Sequence, residues 1–208
     1  METLGKIDKP PVEQFKTGRK LYCVPLVYSS NDSPQDYLEI INQYWTQVEE
    51  HVNMLEKVEK ISKIYFESIS VSGEEAMQII KEENEKAYKL VKIKYESGGQ
   101  LQALEDEELF NERMDWMVCM AVVGRSHTVL AKISKFFEEA NKKRDDHITK
   151  QIVETLKENE AGMLVMNDQD RVRIQSQFPS DIHVFLVHPR ALDDIYRWLR
   201  DHSSSKIQ

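Results

Sequence analysis

The sequence predicts an α/β protein: a mostly parallel sheet of about four strands, with crossover helices and a long helical insertion in the middle. Three observations carry this reading. The first hundred residues alternate strand, helix, strand, helix, the order that right-handed crossovers impose on a parallel sheet. The strand segments are short, near-continuous apolar runs, as expected for strands covered on both faces. Strand signals vanish from Glu105 to Ala140, and the sheet pattern returns only near the end. With 208 residues, 40% of them hydrophobic, the chain can build one core. The expected organisation is a lead-in over residues 1–19, one α/β domain over 20–202 with a helical insertion at about 105–158, and a flexible tail over 203–208.

In the lead-in, Pro10-Pro11 blocks regular structure. The first strand is expected at 21–28, from Leu21 through Val24 to Tyr28. Pro25 cannot donate to a ladder, so this strand is expected at an edge or with a bulge. Ser33 as N-cap and Pro34 as first residue open a helix over about 34–57. Its apolar stripe is Tyr37, Ile41, Tyr44, Trp45, Val48, Val52 and Leu55. A second strand follows at 61–70, and Ser72 with Glu75 forms a capping box for a helix over about 74–96 that Gly98-Gly99 stops.

The insertion reads as one helix through Leu109, Phe110, Met114 and Met117, a break at Gly124, and a second helix of about 30 residues reaching Leu156. The sheet resumes at 162–167, Asn167 to Asp170 is a polar loop, and a last strand lies at 182–187. Ala191, Leu192, Ile195, Trp198 and Leu199 mark a closing amphipathic helix.

Composition excludes several functions. A net charge of −8 repels phosphate, so no nucleic-acid partner is expected. Two cysteines rule out a disulfide framework and a four-cysteine zinc site. No run approaches the roughly 20 apolar residues of a membrane helix, and the first residues lack a secretory apolar core, so no membrane association and a cytoplasmic location are expected. Phosphate-binding glycine loops and nucleophile elbows are missing, so no cofactor is expected. Among six histidines no pair has the i, i+4 metalloprotease spacing, and no metal is expected.

A few residues stand out. His188 ends the last predicted strand, where open α/β sheets place their sites. Cys23 and Cys119 read as small core residues. Arg144-Asp145-Asp146-His147 is the densest charge cluster and, by itself, reads as a solvated helix face. Glu67 sits in a strand between Phe66 and Ser68, and a carboxylate on a covered face must be paired or functional. The acidic run Glu105 to Glu108 fits a helix N-terminus. Tryptophans and methionines fall on helix stripes and read as core or interface.

Three stretches in order resemble a family of uncharacterised prokaryotic α/β proteins. They are Gly98-Gly99-Gln100-Leu101 running to Glu105-Asp106; Arg144-Asp145-Asp146-His147-Ile148 with Glu154-Thr155-Leu156-Lys157-Glu158; and Gly162 to Met166 followed by Phe178-Pro179-Ser180-Asp181-Ile182. That family is similar in turn to the TraB/ChaN-like group, which carries an early histidine, an acidic strand residue, an arginine helix pair and a late Gly-x-x-His. The resemblance implies Glu67 as the acidic strand residue and Arg144 with Asp145 as the helix pair. Tyr28-Ser29 stands where the early histidine would be, and Met166-Asn167-Asp168-Gln169 replaces the late motif.

These departures favour a non-catalytic or degenerate member that binds a small ligand or a protein partner. A hydrolase-like enzyme would instead use Glu67, Arg144 and Asp145 with Asp168 or His188 at the strand carboxyl ends. A third possibility is an interaction protein that forms a homo-oligomer through the long helix. If the resemblance holds, Arg144 reaches the Glu67 carboxylate.

Overall fold

The structure, a computed structural model, describes residues 17–30 and 32–203; most of the expected lead-in, and the tail from residue 204, lie outside them. Its strands are β1 (Arg19–Pro25), β2 (Ile61–Phe66), β3 (Gln100–Gln102), β4 (Ala161–Met166) and β5 (Ile182–Leu186). They form one sheet in the order β3-β2-β4-β1-β5, and every pairing is parallel. The helices are α1 (Gln35–Leu55), α2 (Gly73–Glu83), α3 (Glu85–Glu96), α4 (Glu107–Val122), α5 (His127–Thr155), α6 (Asp168–Gln175) and α7 (Arg190–Ser203).

The α/β architecture is as expected, with five strands rather than four. The added strand, β3, is only three residues long and buries Leu101 alone, too little for a sequence pattern to register. Pro25 is neither at an edge nor in a bulge. β1 lies inside the sheet, and Pro25 is its last residue. Leu26 N–H donates to Met166 O at 2.9 Å, so alternation aims the Pro25 nitrogen toward β5, past the point where that ladder ends at Cys23 and Leu186. The missing donor therefore costs no bond.

The helix expected over 74–96 is two helices. Asn84 breaks it: its Oδ1 accepts from Ala87 N–H at 3.0 Å and its Nδ2 donates to Val27 O at 2.9 Å. A side chain that competes for backbone groups favours a cap over a helix interior. Ser72 occupies the N-cap of α2 but makes no side-chain cap bond, so the capping box is not formed. Pro34, not Ser33, is the N-cap of α1; Ser33 Oγ instead accepts from Ser30 N–H at 3.0 Å. The expected loop at 167–170 is the start of α6, capped by Asn167. Cys119 is half-buried rather than in the core, whereas Cys23 is buried.

The chain steps from β1 to β3 with α1, α2 and α3 on one face, where Tyr22, Val24, Ile41, Val48, Ile80 and Leu192 pack. It returns with α5 and α6 on the other face, over Leu21, Cys23, Tyr65, Leu164 and Ile174. After β1 the chain therefore leaves toward one face, and after its neighbour β4 toward the other. Such a switch in direction opens a crevice at the carboxyl ends of the two strands.

Gly162, in β4, shows how tightly the second face is packed. A Cβ there would lie 2.9 Å from Tyr65 Cε2 and 3.3 Å from Leu21 Cδ1. The Tyr65 ring is held by a 2.8 Å bond between its hydroxyl and Thr155 Oγ1. Gly162→Ala is expected to destabilise by about 1–3 kcal/mol through overpacking, read as a lower urea midpoint at unchanged slope.

The insertion is a helical hairpin. The second half of α5 buries Ala140, Arg144, Asp145, Ile148 and Ile152 against the sheet. The first half pairs with α4, which has no buried residue of its own. Among the described residues, no helix is long and apolar enough to cross a membrane.

Candidate functional site

At the carboxyl end of β2 the chain makes a sharp turn. Ser68 adopts a left-handed conformation with φ 71°, uncommon for a residue with a side chain. The turn lets Glu67 N–H donate to Val165 O at 3.0 Å while the Glu67 side chain reaches the end of β4. There Glu67 Oε2 accepts from Asn167 N–H at 2.7 Å. Asn167 also caps α6, its Oδ1 accepting from Gln169 N–H at 2.9 Å. One turn thus starts a helix and anchors a carboxylate.

Arg144 comes from α5, on the buried stripe between Ala140 and Ile148, and is 1% exposed. Its Nη2 donates to Glu67 Oε1 at 3.1 Å, as the resemblance implied. Two further carboxylates share the guanidinium. Nε donates to Glu105 Oε2 at 2.9 Å, Nη2 also donates to Glu105 Oε1, and Nη1 donates to Asp170 Oδ2 at 2.6 Å. All three nitrogens are therefore engaged by carboxylates. The Phe110 ring lies 5.8 Å from the guanidinium carbon. Ser68 N–H donates to Glu105 Oε1 at 3.2 Å, so the left-handed turn and the acidic segment hold each other.

The cluster extends outward through Asp170. Arg173 bridges Asp170 Oδ1, at 3.0 Å, and Asp145 Oδ2, at 2.7 Å, while Arg113 Nη2 lies 3.5 Å from Asp170 Oδ2. Fully ionised, the four carboxylates (Glu67, Glu105, Asp145, Asp170) outnumber the three guanidiniums (Arg113, Arg144, Arg173) by one charge. One proton would balance the cluster, and burial favours Glu67 as the group that takes it. Burial pushes the Glu67 carboxyl up to about 7; the Asn167 N–H and Arg144 oppose this, and the charge of Asp170 and a hydrogen bond with it add to it. Burial alone would raise Asp170 too, but the Glu67 hydrogen bond and Arg144 hold it below its ordinary value. The two carboxyls form a donor–acceptor pair with their protonation pushed apart.

A cleft of about 290 Å³ opens onto this pair, walled by Tyr28, Ser68, Phe110, Arg113, Met114 and Gln169. It lies over the carboxyl ends of β2 and β4. Burial and the Glu67 carboxylate push the Tyr28 hydroxyl up to about 12. A second hollow of about 440 Å³ lies at the β1/β4 switch and shares Tyr28, Asn167 and Gln169 with the first.

Of the residues singled out in sequence, Glu67 and Arg144 meet. Asp145 joins them only through Arg173 and Asp170 and is not among the residues lining the cleft. Asp168 is the first residue of α6, accepts from Arg171 Nε at 2.8 Å, and borders only the second hollow. His188 lies apart from the cluster, half-exposed and 3.0 Å from Asp193. Asp146 is exposed and His147 half-buried, so only half of the Arg144 segment is a solvated face.

Sequence reasoning missed Glu105, Asp170 and Arg113. Glu105 stands one residue before the true N-cap Asp106, which accepts from Glu108 and Leu109 N–H at 3.0 Å. The helix-start reading fits Asp106 but not Glu105, which is 4% exposed. A usable signal for Arg144 was its place at i+4 from Ala140 and i−4 from Ile148, where an apolar residue is expected. Among the described residues no three His, Cys, Asp or Glu side chains form a group able to hold a metal ion. No protein-family model, curated protein or solved structure matches the chain.

Proposed function

We propose that the protein binds a small, polar, hydrogen-bond-donating ligand, neutral or cationic, in the cleft beside Glu67 and Asp170. The observation that carries this reading is the buried carboxyl pair, Glu67 and Asp170, in the wall of a cleft at the strand carboxyl ends, with Glu67 pushed up and Asp170 down. Arg144 is saturated by carboxylates, so it offers no charge to an anion. A cationic group entering the cleft takes the place of the Glu67 proton and restores neutrality. Tyr28, Ser68 and Gln169 supply polar contacts, and Phe110 and Met114 supply an apolar wall.

A thermal-shift series with small amines, amino acids, sugars, carboxylates and phosphates tests this. Amines or polyols are expected to raise the melting temperature of the native protein and not that of Glu67→Gln. Stabilisation by phosphates or carboxylates alone, or by no class at all, overturns the reading.

A second reading is a hydrolase-like enzyme in which Glu67 serves as general acid–base, favoured by a carboxyl that titrates near neutrality. Turnover of a chromogenic ester or glycoside with a pH profile breaking near 7, abolished in Glu67→Gln, is its expected signature.

A further inference from the structure

The α4–α5 hairpin carries a surface that the cleft does not explain. Trp116 to Val123 are eight consecutive apolar residues, and α4 buries none of its side chains. A helix apolar on every side needs cover on every side. α5 covers one side only, with Trp116 stacked on Phe136 at 4.9 Å. Met117, Val118, Val122, Val129, Leu130 and Phe136 are left exposed, six of the fourteen large apolar side chains exposed among the described residues.

Charge is segregated along the same hairpin. Residues 116–137 hold Arg125, Lys132 and Lys135 and no acid, leaving −11 for the rest of a chain whose net charge is −8. Residues 105–115 hold six acids and one arginine. Glu108 and Asp115 fall at helical spacing below Val118 and Val122, so the stripe is acidic at its root, apolar at its middle and cationic at its end. Of the cations, Lys135 has Glu139 one turn away at 3.8 Å.

We infer that this stripe is covered by a second copy of the chain, laid antiparallel to form a four-helix bundle with two-fold symmetry. With the helices crossing near Val118, Arg125 of each copy comes opposite Glu108 and Asp115 of the other. The charge pattern selects this occupant. Parallel copies would set cation on cation, and an anionic lipid surface along the stripe would meet the acidic root as well as the cationic end. The contact lies on α4 rather than on the long helix alone.

Sedimentation equilibrium of the full chain tests the inference. The native protein is expected to be a dimer, and Val118→Glu to raise the dissociation constant by about tenfold or more. Arg125→Glu is expected to weaken the dimer, and adding Glu108→Lys with Asp115→Lys to restore it. In a Cys119→Ser background, Val118→Cys is expected to oxidise to a covalent dimer and Val122→Cys is not, because antiparallel packing sets residue 122 near 114 of the other copy. A native monomer, a dimer indifferent to Val118→Glu, or a monomer that co-sediments with phosphatidylserine vesicles overturns it. Circular dichroism of each variant separates loss of pairing from loss of fold.

Discussion

Arg144→Ala is expected to lower stability by on the order of 3–5 kcal/mol, the cost of stranding buried charges that have lost their partner. The guanidinium is 1% exposed, and the three carboxylates it joins are nearly as deeply covered. Glu105 depends on it most, because its other bond is a single one from Ser68 N–H at 3.2 Å. Asp170 keeps Arg113 and Arg173, and Glu67 keeps Asn167 and can take up a proton, its carboxyl being already pushed up by burial. Adding Glu105→Gln to Arg144→Ala should therefore recover more stability than adding Glu67→Gln. Urea unfolding of the two double mutants measures this directly. A solvated charge cluster would give well under about 1 kcal/mol for any of these changes.

The pH dependence is expected to run opposite to that of a salt-bridged carboxylate. Glu67 is raised from 4.5 to about 7 in the folded protein, so between those values the native state holds a proton that the unfolded chain has released. Its contribution is fully present below 4.5, declines as pH rises, and is lost above about 7. Its size is on the order of 3 kcal/mol. Asp170 moves the other way: its folded value is depressed, so its contribution is present above its ordinary value of 3.8 and is lost as pH falls through its lower folded value. The two windows do not overlap. Glu67→Gln, which mimics the neutral carboxyl, should match the native protein near pH 4 and exceed it near pH 8. Equal slopes for the two proteins across that range would place the proton elsewhere in the cluster. The macroscopic titration belongs to the Glu67–Asp170 pair.

What the sequence revealed, and what it hid, follows from how each feature is encoded. Apolar runs and helical stripes are local, so β1, β2, β4, β5, α1 and the long α5 were legible to within a few residues. β3 was not, because three residues with one buried leucine hold no periodicity. The break at Asn84 depends on a bond to Val27, 57 residues away, which no local pattern announces. Glu67 was visible because it interrupts an apolar run, whereas Arg144 stood out only by the charge density of its segment and by the resemblance, and by itself read as a solvated face. Glu105 and Asp170 sit among other polar residues and read as a helix-start acid and as part of a polar loop; only the fold turns them inward.

The same buried junction bears on how long a folded molecule survives. Arg144 binds groups 26, 39 and 77 residues away along the chain. Contacts of that span must wait until the intervening loops are closed, and closing them costs entropy before any bond forms. Its charges are covered only once the sheet, α5 and α6 have all met, so the junction is expected to form late, and Arg144→Ala to speed unfolding while leaving the folding rate nearly unchanged. Interactions absent from the transition state leave the folding rate nearly unchanged and act by slowing unfolding. A molecule secured in this way resists opening for longer than its equilibrium stability alone would suggest, and transient exposure of its apolar strands becomes correspondingly rare.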